Sequence, residues 1–210
     1  MIPRIMRYVF LTLFFLLTEI AQAQPADTTD YYPGGAVRAR GSVSGGMKEG
    51  EWTYYYPSGK KSAIENFKLG KLNGRLIYFY PKGDTLGMEQ WRDGSLQDSA
   101  VYFYQGGGVE KKGMFRNSRY EGTWRYYFPN GKPERVVSYI NGAPEGETMV
   151  YSESGILLQE GHYKDGKEDG VWKFFNEQGR IQYEGPYREG QRVGTWYNYN
   201  KKGERKIWKY

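Results

Sequence analysis

The 210-residue chain contains no cysteine and a single histidine. The first absence removes disulfides, thiolate metal sites and thiol catalysis together. Long apolar runs are missing too. The run from Tyr8 to Leu17 is ten residues, well short of the roughly 20 that a membrane-spanning helix needs. Branched aliphatic residues are modest in number, and nearly half of the 39% hydrophobic content is rings, with 21 Tyr, 10 Phe and 6 Trp beside 29 Gly. Aromatic residues fit a pleated surface and repeated Gly weakens a helix, so this composition predicts short strands and turns. The hydrophobic fraction suits a folded repeat or globular domain better than a disordered chain.

The first residues stand apart. Arg4 and Arg7 form a positive segment, Tyr8 to Leu17 an apolar one, and Ala21-Gln22-Ala23 a small-residue cleavage site before Gln24. This pattern predicts a secretory signal peptide over residues 1–23. Removing it takes Arg4, Arg7 and Glu19, and lowers the net charge from +6 to +5. With no cysteine after the cleavage site, a lipid anchor there is excluded.

The remainder is periodic. Gly35, Gly59, Gly83, Gly107, Gly131, Gly155, Gly179 and Gly203 are each 24 residues apart. A second column (Gly50, Gly74, Asp98, Gly122, Gly146, Gly170, Gly194) breaks once, at Asp98, and a third through Gly46 and Gly190 breaks once, at Ser118. Two aromatic columns keep the same register, one from Tyr31 to Tyr199 and one from Phe67 to Tyr187. A fixed period of this length signals stacked supersecondary units. Each unit reads as a hairpin: a strand, a Gly-bounded turn such as GKEDG (Gly166 to Gly170), a second strand such as VWKFFN, and a tight turn such as PNG (Pro129 to Gly131). Side chains alternate along a strand, so Trp52 and Tyr54 share one face and Tyr55 lies on the other. The expected fold is all-β, an elongated solenoid-like array of hairpins. Residues 24–35 form an N-terminal linker and half-repeat cap, residues 36–204 seven 24-residue repeats, and residues 205–210 a C-terminal partial repeat. A lone hairpin is marginal in water, so the array stands or falls as a unit.

YEGTW (Tyr120 to Trp124), with the Gly and aromatic columns around it, resembles the Tyr-Glu-Gly-x-Trp core of the MORN repeats. The similarity covers essentially the whole chain after residue 23, with 24 residues per unit where the family's usual unit is about 23. The WxYYxxxG face is similar to a bacterial MORN variant associated with the antitoxin half of toxin–antitoxin pairs. That resemblance implies a fold of stacked β-hairpin repeats. An antitoxin role would require residues 1–23 to be no signal.

No residue set has the uniqueness that catalysis requires. His162 sits in a column otherwise holding Ser42, Asn66, Gln90, Met114, Ser138 and Pro186, and the acids of KEDG are replaced in other repeats. Catalytic, metal and cofactor sites are therefore not expected. Two columns are candidates for binding. Lys68, Arg92, Arg116, Lys164 and Arg188 recur with the period and could follow a polyanion, although acids such as Asp93, Asp165 and Glu189 come next in sequence. Tyr56, Tyr80, Tyr104 and Phe128 are aromatic where Ser152, Asn176 and Asn200 are polar. Rings that the fold can spare offer rigid contact area to sugars or apolar side chains; the alternative is that they pack the edge of the sheet. The expectation is an exported protein of the periplasm, cell envelope or exterior that binds a protein partner. A glycan or anionic membrane surface is the second class of partner, and nucleic acid is not expected.

Overall fold

The computed structural model describes residues 24–209. The expected signal peptide, residues 1–23, lies outside the described residues. Within them there are eighteen β-strands and no helix. The strands pair antiparallel in one open meandering sheet from Ala26–Tyr31 to Arg205–Trp208; Lys71–Leu72 and Gly74–Phe79 both pair with Lys61–Lys68, and Gln191–Arg192 and Trp196–Tyr199 both pair with Ile181–Arg188. The array is therefore all-β and built of stacked hairpins, as its composition and 24-residue period require.

Two kinds of turn alternate along the sheet. At one edge, two residues connect the strands, as at Asp165 (φ 51°) and Gly166 (φ 79°) between Leu157–Lys164 and Lys167–Phe175. Two successive positive φ values make the hairpin turn whose twist matches the strands it joins. At the other edge the amide of residue 128 donates to the carbonyl of Lys132 and the Gly131 amide donates to the carbonyl of Phe128, at 2.9 and 2.8 Å. This is the three-residue loop that needs a left-handed final residue, which Gly131 supplies at φ 82°.

GKEDG is not a turn loop. The chain has already reversed at Asp165 and Gly166, and the second strand begins at Lys167. Gly170 instead makes a bulge: Glu160 pairs with Lys173 and His162 with Asp169, so Gly161 alone faces residues 170–172. Asp98 and Ser118, the breaks in two Gly columns, keep the same left-handed backbone at φ 57° and 61°. The conformation is held by the repeat and only the residue type varies.

The hairpins also dock on one another at both edges. The Gly142 amide donates to the carbonyl of Tyr120, 22 residues earlier, at 2.9 Å, and this contact recurs from Gly70 to Gly190. Beside it a side chain of the preceding unit accepts from the turn, as Glu49 does from the Leu69 amide at 2.8 Å and Glu145 from the Asp165 amide at 2.7 Å.

The core lies on one face. Its floor is a row set by the bulges: Trp52, Leu76, Ala100, Trp124, Thr148, Trp172 and Trp196 are all buried. The last hairpin departs from the others. It lacks the register shift seen near the three-residue loop in earlier units, so Trp196 pairs directly with Trp208. A slip of one residue turns a side chain to the other face, and here it brings Trp208 onto the core face, 6.0 Å from Trp196 and 4.7 Å from Tyr183.

Candidate interaction surfaces

The two candidate columns occupy opposite edges of the sheet and cannot form one site. Tyr56, Tyr80, Tyr104 and Phe128 begin the three-residue loops, whereas Lys68, Arg92, Arg116, Lys164 and Arg188 end the strands that lead into the two-residue turns.

The tyrosines form a ladder. The hydroxyls of Tyr32, Tyr56, Tyr80 and Tyr104 donate to the carbonyls of Tyr55, Phe79, Phe103 and Tyr127 at 2.8, 2.7, 2.8 and 2.7 Å. Each bond joins one unit to the next. Phe128 has no hydroxyl, and the ladder stops there. Beyond it the same column turns inward on its own loop: Ser152 Oγ accepts from the Ile156 amide, and Asn176 Oδ1 from the amides of Gln178 and Arg180. The change from ring to polar residue exchanges a bond between units for a local cap. All four rings are half-buried, and the three tyrosine hydroxyls already serve the fold.

The five cations are exposed. Arg92 is 3.3 Å from Asp98, an exposed pair of little energetic weight, and Arg116 is 3.6 Å from the half-buried Glu121. The register adds what the column alone did not contain. Lys68 faces Lys71, Arg116 faces Arg119, and Lys164 faces Lys167 across the two-residue turns. Like charges directly opposed repel, so these three turns present doubled positive charge at the edge.

The core face carries a cluster that the sequence reading missed. Where Trp occupies the floor, Gly sits eleven residues earlier: Gly41 with Trp52, Gly113 with Trp124, Gly161 with Trp172, Gly185 with Trp196. A Cβ on these glycines would lie 2.1 to 2.4 Å from indole carbons, so the indole lies flat on bare backbone. Its Nε1 donates to a carbonyl ten residues back, such as Met114 at 2.9 Å for Trp124. Where the floor shrinks to Leu76 or Ala100, Glu65 and Glu89 replace the Gly. Glu89 accepts from Trp91 Nε1 at 2.9 Å and from the Tyr102 hydroxyl at 2.5 Å. Burial, reinforced by Glu89, holds the Tyr78 and Tyr102 phenols well above their ordinary range. In the first unit the Lys48 ammonium lies 4.5, 5.0 and 4.9 Å from the ring centroids of Trp52, Tyr54 and Phe67, a cation in an aromatic cage. The covariation of the Gly and Trp columns was the available signal for this arrangement.

The opposite face has its own continuous row. Thr53, Ile64, Ile77, Met88, Val101, Lys112, Arg125, Val136 and Met149 are paired in unbroken register across nine strands. Where the row passes from apolar to basic there is a groove of about 500 Å³ with Met88, Val101 and Met114 in its lining and Arg75, Lys112 and Arg125 as its cations. Such a groove suits an anionic group joined to an apolar body. His162 is exposed, and no cluster of His, Asp or Glu among the described residues could hold a metal ion.

Comparison with known proteins agrees with the periodicity. The model of the MORN repeat variant matches residues 48–69, 120–141, 144–165 and 168–189. No curated protein matches the chain. Among solved structures, a chain of the Photorhabdus luminescens Tc holotoxin pore is similar at 13% identity over 85% of this chain, with a TM-score of 0.24. A chain of the TcdB2–TccC3–Cdc42 structure is similar at 13% identity over 85%, with a TM-score of 0.23. This chain spans 12% of the length of each.

Proposed function

This chain is a MORN-repeat protein, and on that premise we propose that it is an exported, non-enzymatic scaffold that binds another protein at the bacterial cell envelope. The observation that carries the reading is the fixed order of the side-chain rows. On both faces, chemically distinct stretches are held in fixed order along the sheet, from Ile64 through Arg125 on one and from Trp52 through Trp196 on the other. A rigid surface of that kind offers many weak contacts with little ordering cost, which is what a scaffold needs. Export rests on the pattern of residues 1–23.

Two measurements test it. Fractionation of the source cells with N-terminal sequencing should find the chain outside the cytoplasm, beginning at Gln24. Residues 24–210, immobilised and exposed to envelope extract, should retain a protein in stoichiometric amount. A cytoplasmic chain that keeps Met1 would remove the export proposal, and retention of polysaccharide alone would remove the protein partner.

The doubled cations at the two-residue turns favour a second reading, in which that edge lies on an anionic polymer or membrane surface. Binding would then weaken steeply with salt and on replacement of Lys68, Lys71, Lys164 and Lys167 by Ala. A salt-independent interaction would exclude it.

A further inference from the structure

The groove on the face opposite the indoles is cationic without counter-ions. Met88, Val101, Lys112 and Arg125 are directly paired on four successive strands, so they form one line across the sheet. Met114 stands beside that line and is 50% exposed, and Arg75 closes the apolar end, its guanidinium donating to Met88 Sδ at 2.8 Å. Arg75, Lys112 and Arg125 are exposed, and among the described residues no carboxylate is ion-paired with any of them. Lys112 lies 5.6 Å from the ring centroid of Tyr127, a contact that leaves its charge uncompensated. Glu89, the one acid in the lining, gives its carboxylate to Trp91 and Tyr102 on the other face.

We infer that this groove holds an amphipathic helix of the protein partner, with carboxylates on Arg125 and Lys112 and apolar side chains on Val101 and Met88. The inference rests on the scaffold reading above and adds the chemistry of the docked segment. Charge selects the acids: a carboxylate arriving here meets cations that have no other, and charge-assisted bonds of that kind are the strong ones. Methionine suits the apolar part, since its unbranched thioether adapts to whatever packs on it. Spacing selects the helix. Neighbouring strands stand about 4.8 Å apart, close to the pitch of about 5.4 Å that separates side chains along one face of a helix. An extended segment repeats its face only every roughly 6.7 Å and drifts by about 2 Å per side chain. It would also lay unpaired amides and carbonyls on the sheet, whose own backbone groups are used between strands. A helix satisfies its backbone internally and supplies the second layer that a single open sheet lacks. With the acids toward its N-terminus the helix dipole is favourable there, and Arg75 lies beneath the C-terminal carbonyls.

The test uses a helical probe. An Ala-rich peptide of about 18 residues, long enough to form a helix, carries Glu at two positions four apart and Leu three and seven residues further along; its control has Gln for both Glu. The purified chain is labelled at the methionine methyl carbons and read by NMR, with signals assigned by replacing each Met with Leu. The Glu peptide should shift Met88 and Met114, leave Met47 at the start of Met47–Tyr55 unmoved, and bind at least tenfold more tightly than the Gln peptide. Lys112→Gln with Arg125→Gln should weaken the Glu peptide at least tenfold; both side chains are exposed, so melting should not change. Should that variant melt lower, the comparison of the two peptides on the unaltered chain decides alone. Absent shifts at Met88 and Met114, or equal binding of the two peptides, overturn the inference. Decanoate that shifts both methyls where the peptide does not would assign the groove to a small amphiphile, and phosphatidylglycerol vesicles that do so would assign it to a membrane; either result overturns the helix. If the double variant captures from extract the same protein as the unaltered chain, the groove falls and the scaffold stands. If the peptide binds as expected and no protein is captured, the scaffold reading falls and the groove keeps its helix.

Discussion

The indole of Trp172 lies so close on the backbone of Gly161 that a Cβ there would stand 2.1 Å from its Cδ2. The same relationship joins Gly41 to Trp52, Gly113 to Trp124 and Gly185 to Trp196. It explains how a single sheet buries four indoles. The bulge at residue 170 brings the second strand's Trp over the first strand's bare backbone, and rings such as Tyr163 and Tyr187 close over it.

Gly161→Ala should therefore destabilise the array, because the displaced element is a packed ring between strands. Overpacking of this kind costs about 1–3 kcal/mol. Gly34→Ala is the control, since its added Cβ would meet nothing within 4 Å. Urea titration should separate the two; equal midpoints would refute the account of the floor.

The Tyr ladder predicts graded losses. Tyr56→Phe, Tyr80→Phe and Tyr104→Phe each remove one bond between units and should cost about 0.5–1.5 kcal/mol, while removal of the rings should cost more. Phe128→Tyr should extend the ladder and raise the melting temperature. Unchanged melting in the Phe variants would return these residues to the role of a binding surface.

Stability should fall in alkali. The Tyr78 and Tyr102 phenols are raised above the ordinary value of 10.0 by burial and by Glu89. Above that pH the unfolded chain loses protons that the folded chain retains, so the contribution of these two phenols to stability is fully present below about pH 10 and declines above it. The denaturation midpoint measured across neutral and alkaline pH should show this, and Tyr78→Phe with Tyr102→Phe should flatten the decline. A midpoint that holds steady well above pH 10 would contradict it.

Asp98 holds a left-handed backbone where the other units have Gly. Its pair with Arg92 is exposed and contributes little. Asp98→Gly should thus raise stability by about 0.5–1 kcal/mol, measured as a shift in urea midpoint. A loss would mean that the carboxylate matters more than the backbone.

Much of this was legible in the residues. The period of 24, the all-β class, the hairpin unit and the tight loop at Gly131 follow from where Gly and rings recur, because only some residues tolerate left-handed turns and only alternation buries one face. Inside the hairpin less was legible. Gly166 and Gly170 are both left-handed glycines, and spacing alone does not say that one turns the chain while the other bulges it. Nor does the column of Tyr56, Tyr80 and Tyr104 say that its hydroxyls reach carbonyls 23 residues on.

The sequence by itself determined that identical units stack, since one hairpin cannot cover its rings and a constant period leaves no room for any other arrangement. Only the tertiary structure decided what each unit does to its neighbour. Bulges set which strand positions face the floor, and register sets which cations oppose. The replacement of one Trp by Thr148 is accommodated by Val137 beside it and by rings, Tyr139, Tyr163 and Trp172, that belong to two different units. These are relations between strands, and local residue preference carries no information about them until the register is formed.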